Sequence, residues 1–234
     1  MALRIRPFFI VGHRGAPQLV PPGNTVASLR KAVEVGAQML EVDVRRTRDD
    51  VLVLDHEAVR LVAGQEVPIS AQSYGQWRDY TAETDAPMAT LGDAFQIASQ
   101  AGVGLMLDFK EAGSENLVAR AVRGSGFPLD RLLVAGANES SRRILRGLDP
   151  RIPLSLSLDF DAGLRVDAKM LADVDTDAVT WNYRLLTPGI VKVLHLRGIL
   201  VYAWTVDLVD DFHRLRDAGV DGIITNSPDL LCSL

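Results

Sequence analysis

The apolar run FFIVG stops abruptly at His13 and Arg14. Glu41 and Asp43 follow in MLEVDV, two residues apart, and His56 closes VLVLDH. A third acid, Asp108, stands two residues before Lys110 in LDFK, and Trp204 ends ILVYAW. Side chains alternate along a strand, so Glu41 and Asp43 share one side if MLEVDV is a strand. Two carboxylates on one face of a buried strand repel each other and need compensating positive charge. With Asp108 they make three oxygen ligands without a cysteine, which suits a hard cation, Mg²⁺ or Ca²⁺. Arg14 offers a planar fork and Lys110 a point charge, the pair that would hold an anion such as a phosphate. His13 and His56 are of the type that exchanges protons near neutral pH. Together these side chains suggest metal-assisted proton transfer on a small phosphorylated molecule.

Each residue also has a plainer reading. A lone histidine at a strand end is more often structural than catalytic. Glu41 and Asp43 could pair with Arg45 or Arg46, and Asp108 and Lys110 could neutralise each other. Trp204 alone reads as packed core, and Gly15 as a residue that permits a tight turn. What favours the chemical reading is that these groups fall at the same end of neighbouring apolar runs.

The elements that must hold them can be read from the alternation of patterns. Eight short apolar runs read as strands, at 8–13, 39–44, 103–109, 132–136, 153–158, 178–182, 199–204 and 222–225. Between them lie helical patterns, at 25–36, 91–102, 114–126 and 208–219, each ending in glycine. Continuous apolar strands alternating with helices predict a parallel sheet covered on both faces, and eight units predict a closed α/β barrel, the (β/α)₈ or TIM barrel. An open doubly wound sheet is the rival. Barrel active sites lie at the C-terminal ends of the strands, where the polar groups above fall. One segment breaks the rhythm: 51–55 reads as a short extra strand, and 57–88 as an irregular insertion on the barrel rim, after the second strand. The whole chain, 1–234, reads as one domain.

Composition narrows the partners. The net charge is −5, which argues against binding nucleic acid through a basic surface, and the 47% hydrophobic content permits a large core. The lone cysteine, Cys232, allows neither an internal disulfide nor a zinc site built on cysteine spacing. The run from Phe8 to Val11 is shorter than the roughly 7–15 residues of a signal-peptide core, and no apolar stretch nears the ~20 residues that span a bilayer. These features predict a cytoplasmic protein without stable membrane insertion. His195 and His213 fall in helical patterns and are expected on the surface, as are the pairs Arg142–Arg143 and Asp210–Asp211. No Walker loop, GxSxG elbow or HExxH motif is present.

The ordered set GHRGAP, PPGNT, LEVDV, LDHE, LDFK, VYAWTVD and VDGIITNSPD resembles the glycerophosphodiester phosphodiesterase family, from Phe8 to Leu230. The resemblance implies a TIM barrel with a small insertion after the second strand. It implies a divalent cation on Glu41, Asp43 and Asp108, an acid–base pair in His13 and His56, phosphate-binding cations in Arg14 and Lys110, and an aromatic wall for glycerol in Trp204. The implied reaction is attack of a glycerol hydroxyl on phosphorus, release of an alcohol, and opening of a cyclic phosphate by water to glycerol 3-phosphate. Four features depart from the family pattern, among them Glu57, where an aspartate usually follows the second histidine, and VAGANESS, which lacks the Ser-Phe pair often seen after the fourth strand. Gly23 stands where a glutamate usually precedes Asn-Thr, and Asp108 replaces a glutamate and is one methylene shorter. Two other functions remain open: a phosphodiesterase of the lysophospholipase D or sphingomyelinase D type, and a barrel that binds a phosphodiester with little or no turnover.

Overall fold

The computed structural model describes residues 8–158 and 175–234. Their elements, in chain order, begin with β1 (Phe9–His13), α1 (Val26–Glu34), β2 (Met39–Arg46), β3 (Leu52–Leu54), β4 (Val59–Val62), β5 (Gln65–Pro68) and α2 (Tyr74–Thr81). There follow α3 (Leu91–Ala101), β6 (Gly104–Phe109), α4 (Glu115–Ser125), β7 (Leu132–Ala135), α5 (Glu139–Leu148) and β8 (Ser155–Leu158). The last are β9 (Ala178–Asn182), α6 (Pro188–Leu196), β10 (Leu200–Trp204), α7 (Val209–Ala218), β11 (Gly222–Thr225) and α8 (Pro228–Cys232).

All eight expected strands form, and they pair in parallel in the order β7-β6-β2-β1-β11-β10-β9-β8. The ring closes between β7 and β8 through a bridge at Val134 and Leu154, with the Val134 N–H donating to the Pro153 carbonyl at 2.9 Å. The protein is therefore a TIM barrel and not an open sheet. The four expected helices also form, each within a few residues of its predicted bounds, and α3, α4 and α7 end on left-handed glycine caps. At its N-terminus α1 is capped by Thr25, whose hydroxyl accepts from the Ser28 N–H at 3.1 Å.

The period-two alternation of the strands sorts their residues between two cores. Outward side chains such as Leu40, Val42, Leu105 and Leu107 pack under the helices. Inward side chains, among them Val11, Met39, Met106, Leu133, Tyr202 and Ile224, fill the lower barrel. Following the same inward face toward the strand C-termini, the residues become polar: Val11 gives way to His13, Met39 to Glu41 and Asp43, Met106 to Asp108, and Ala178 to Thr180. Register brings these residues level, with His13 opposite Glu41 and Asp43 opposite Asp108.

The expected extra strand is β3, which turns back antiparallel onto β2, with Val44 opposite Leu54. The segment 57–88 is more regular than its sequence suggests. It holds the β4–β5 hairpin, turned at Ala63 and Gly64 with positive φ at both, and α2, which opens with a Ser73–Gln76 capping box. Strands of four residues are too short to show a period. Val53, Ile69, Trp77 and Met88 make a small core beneath them. Two surface expectations are also corrected. His195 is half-buried and its Nε2 lies 2.7 Å from Oδ2 of the buried Asp221. Arg142, on the first turn of α5, is buried.

Candidate active site

The upper barrel opens into a cavity of about 510 Å³. Of the eight side chains chosen from sequence, His13, Arg14, Glu41, His56, Asp108, Lys110 and Trp204 line it. The eighth, Asp43, lies just behind the wall at 1% exposure. No pairing of Glu41 or Asp43 with Arg45 or Arg46 is found among the described ion pairs. Arg45 instead pairs with Glu111 at 3.2 Å and donates from Nη2 to the His56 carbonyl at 2.6 Å, fixing the segment that carries that histidine.

One carboxylate oxygen each from Glu41, Asp43 and Asp108 lie within 4.8 Å of one another. Oxygens bound to one Mg²⁺ or Ca²⁺ are at most about 4–5 Å apart, twice the metal–oxygen distance, so the cluster has the span a single hard ion needs, and the shorter Asp108 still reaches it. The electrostatics agree. Burial, joined by the charges of Asp43 and Asp108, pushes the Glu41 carboxyl well above its ordinary range, although the Arg14 N–H donates to its Oε2 at 2.9 Å. Burial acts the same way on Asp43, but there Lys110, Arg14 and Asn24 outweigh it and hold the carboxyl below its ordinary range. Lys110 Nζ lies 2.5 Å from Asp108 Oδ2 and 2.9 Å from Asp43 Oδ1, and Arg14 Nε lies 3.0 Å from Asp43 Oδ2. Asp108 and Lys110 do pair, as the plain reading has it, but within a wider cluster. The donor set fits a divalent cation: three oxygen ligands, one of them carrying an unrelieved charge conflict.

Space at this wall depends on a residue without a side chain. A Cβ at Gly136, at the end of β7, would lie 1.8 Å from Asp108 Oδ1.

The two histidines have different surroundings. His13 ends β1, with Nδ1 2.7 Å from Asn226 Oδ1 and Nε2 4.0 Å from Glu41 Oε2. Burial lowers its pKa, the Asn226 bond opposing and the Arg14 charge assisting. His56 follows β3 and is more open, with Nδ1 2.7 Å from Glu57 Oε1.

Several residues of the site carried no role in the sequence reading. Asn24 clamps Asp43 from both sides, donating from Nδ2 to Oδ2 at 2.7 Å and accepting from the Asp43 N–H at 3.2 Å. Ser157 and Thr180 line the cavity with hydroxyls 2.8 Å apart. Asn24 and Asn226 sit in the PPGNT and TNSP motifs, and that was their only signal. Ser157 and Thr180 were visible as inward polar positions within apolar strands.

The sequence profile of the glycerophosphoryl diester phosphodiesterase family matches residues 13–230. The chain belongs to this family. Its members are phosphoric diester hydrolases, and so is this protein. It is 27% identical over 245 residues to a glycerophosphodiester phosphodiesterase of Caldanaerobacter subterraneus, covering 96% of each chain. It is 32% identical over 239 residues to a probable glycerophosphodiester phosphodiesterase of Mycobacterium tuberculosis, covering 94% of this chain and 88% of that one. Among solved structures, a glycerophosphodiester phosphodiesterase of Thermotoga maritima superposes with a TM-score of 0.81 at 20% identity, covering 97% of both chains. An Oleispira antarctica phosphodiesterase, solved with the product sn-glycerol-3-phosphate, superposes at 0.82 and 22% identity over 96% of this chain and 95% of that one. No helix among the described residues of this family member is long and apolar enough to cross a membrane.

Proposed function

We propose that this chain hydrolyses glycerophosphodiesters to glycerol 3-phosphate and an alcohol, with His13 and His56 as the proton-transfer pair and Glu41, Asp43 and Asp108 as the ligands of Mg²⁺ or Ca²⁺. The observation that carries the proposal is the meeting of both histidines, two cations and the acidic cluster around one cavity. The product bound to the Oleispira antarctica relative supports the substrate class. The metal would supply Lewis-acid charge at the phosphate oxygens.

The chain's own groups carry the rest. Arg14 and Lys110 are paired with Asp43 and Asp108 and would turn to the phosphate once a divalent ion took up the charge of those carboxylates. Trp204 offers an apolar wall to the glycerol carbons. One histidine takes the proton of a glycerol hydroxyl as its oxygen attacks phosphorus. The bond from phosphorus to the alcohol oxygen breaks, and the other histidine protonates that oxygen. Water then opens the cyclic phosphate with the two roles reversed. Each proton transfer contributes about 10²–10⁴-fold.

The test is release of glycerol 3-phosphate from glycerophosphocholine and glycerophosphoethanolamine, with and without chelator. His13→Ala and His56→Ala should each lower kcat by roughly 10²-fold or more with smaller changes in KM. Turnover that a chelator leaves untouched removes the metal from the mechanism. Near-normal turnover in either variant removes that histidine.

A further inference from the structure

Behind His13 runs a chain of hydrogen bonds from two neighbouring strands. Asp207 follows β10, and Asn226 follows β11, the strand paired with β1. Asp207 Oδ1 accepts from the Asn226 N–H at 2.7 Å and from the Thr225 hydroxyl at 2.9 Å. Asp207 Oδ2 accepts from Asn226 Nδ2 at 2.8 Å, and Asn226 Oδ1 lies 2.7 Å from His13 Nδ1.

The direction of this chain follows from what each group can do. An ionised carboxylate only accepts hydrogen bonds. The NH₂ of the Asn226 amide must therefore face Asp207, and its oxygen must face the imidazole. The reverse turn would set the amide oxygen against a carboxylate oxygen, two acceptors at 2.8 Å. An amide oxygen also only accepts, so His13 must donate to it from Nδ1. The neutral ring then has its one N–H on Nδ1 and its lone pair on Nε2, the atom on the Glu41 side of the ring.

We infer that Asp207 and Asn226 are positioning residues that fix the tautomer of His13 and so make its Nε2 the proton acceptor in the attack on phosphorus. The inference rests on the hydrolase reading above, and it assigns roles that this reading leaves open: His13 is the base of the first step and His56 the acid. Asn226 transmits orientation without charge. It cannot exchange the proton it accepts from Nδ1, so proton traffic at His13 is confined to Nε2.

The tautomer can be read without any turnover. In long-range proton–nitrogen NMR spectra of the ¹⁵N-labelled full chain, taken above the histidine titration range, His13 should show a protonated Nδ1 and a bare Nε2. Its signals are identified by their loss in His13→Gln. Asp207→Asn removes the acceptor that orients the amide, so the His13 signature should shift toward protonated Nε2. kcat should fall by roughly 10- to 100-fold, with KM changed far less. The exchanged pair, Asp207→Asn with Asn226→Asp, rebuilds the chain with the same direction: the new amide donates to the new carboxylate, which accepts from His13. It should recover the Nδ1–H signature and kcat to within a few-fold. A bare Nδ1 in the wild-type protein overturns the inference. So does a tautomer that Asp207→Asn leaves unchanged while activity falls, since the two residues then only support packing. If the wild-type protein hydrolyses no glycerophosphodiester, the functional reading fails and the catalytic role of Nε2 with it, while the tautomer in the wild type and in Asp207→Asn still decides whether the two residues place the His13 proton.

Discussion

Glu41 carries the charge conflict of the site, and its consequence can be measured. Its carboxyl is pushed up by burial and by Asp43 and Asp108, so the folded protein without an ion binds its proton more tightly than the unfolded chain does. That contribution to stability is fully present below the unfolded pKa of about 4.3 and is lost as pH rises through the raised folded value. Glu41→Gln keeps the shape without the titration. In chelator, its melting temperature should gain on the wild type as pH rises above that unfolded value, and a saturating divalent ion should close the gap by stabilising the wild type. Parallel pH profiles of the two proteins would refute this account. A second residue, Gly136, is required by its neighbour. A Cβ there meets Asp108 Oδ1 at 1.8 Å and the Phe109 carbonyl oxygen at 2.9 Å, on a backbone with φ of +74°. Gly136→Ala should displace the Asp108 carboxylate and weaken divalent-ion binding by roughly tenfold or more, read by calorimetry.

At the scale of elements, the loop from β1 to α1 shows why a glycine precedes Asn24. Gly23 has φ of +92°, and a Cβ there would lie 2.9 Å from Arg14 Cβ and 3.1 Å from the Arg14 carbonyl oxygen. The Asn24 N–H bonds that same carbonyl at 2.9 Å. The loop folds against Arg14 because residue 23 has no side chain, and Asn24 then reaches Asp43. Gly23→Glu should therefore cost about 1–3 kcal/mol of stability, a fall in melting temperature of about 2–4 °C per kcal/mol, without raising activity. A variant of unchanged stability and higher turnover would show instead that the loop accommodates a carboxylate. The insertion makes a related point. β3 returns along β2 and delivers His56 to the cavity, and Arg45 on β2 holds the His56 carbonyl. One strand thus supplies two carboxylates to the cluster and the clamp for a histidine that comes from the segment after it.

For the whole molecule, the site ties together β1, β2, the insertion, β6 and β10, so anything bound there braces much of the ring. A ligand that binds only the folded state at 100 times its Kd adds about 2.7 kcal/mol, and chains of this size shift about 2–4 °C per kcal/mol. Divalent ion or glycerol 3-phosphate at that excess should raise the melting temperature by roughly 5–11 °C. No shift with either would show that the cavity binds neither.

The eight strands, the barrel they close and the side chains that gather at its mouth were all legible in the sequence. Strands buried on both faces must be apolar throughout, so each polar residue at an inward position stands out, and alternation by two fixes its side. His13, Glu41, Asp43 and Asp108 are legible for that reason. The regular elements within 57–88 were not, because four-residue strands carry too little pattern. Nor were the partners that orient the site. Asn226 serves His13 from 213 residues away, and Asn24 serves Asp43 across 19. A hydrogen bond leaves no periodicity in either segment that makes it. Local pattern therefore decided where each reactive group stands on its own strand. Which way His13 holds its proton, and how Asp43 can lie buried beside two other acids, depend on distances between distant segments, and only the closed barrel sets those.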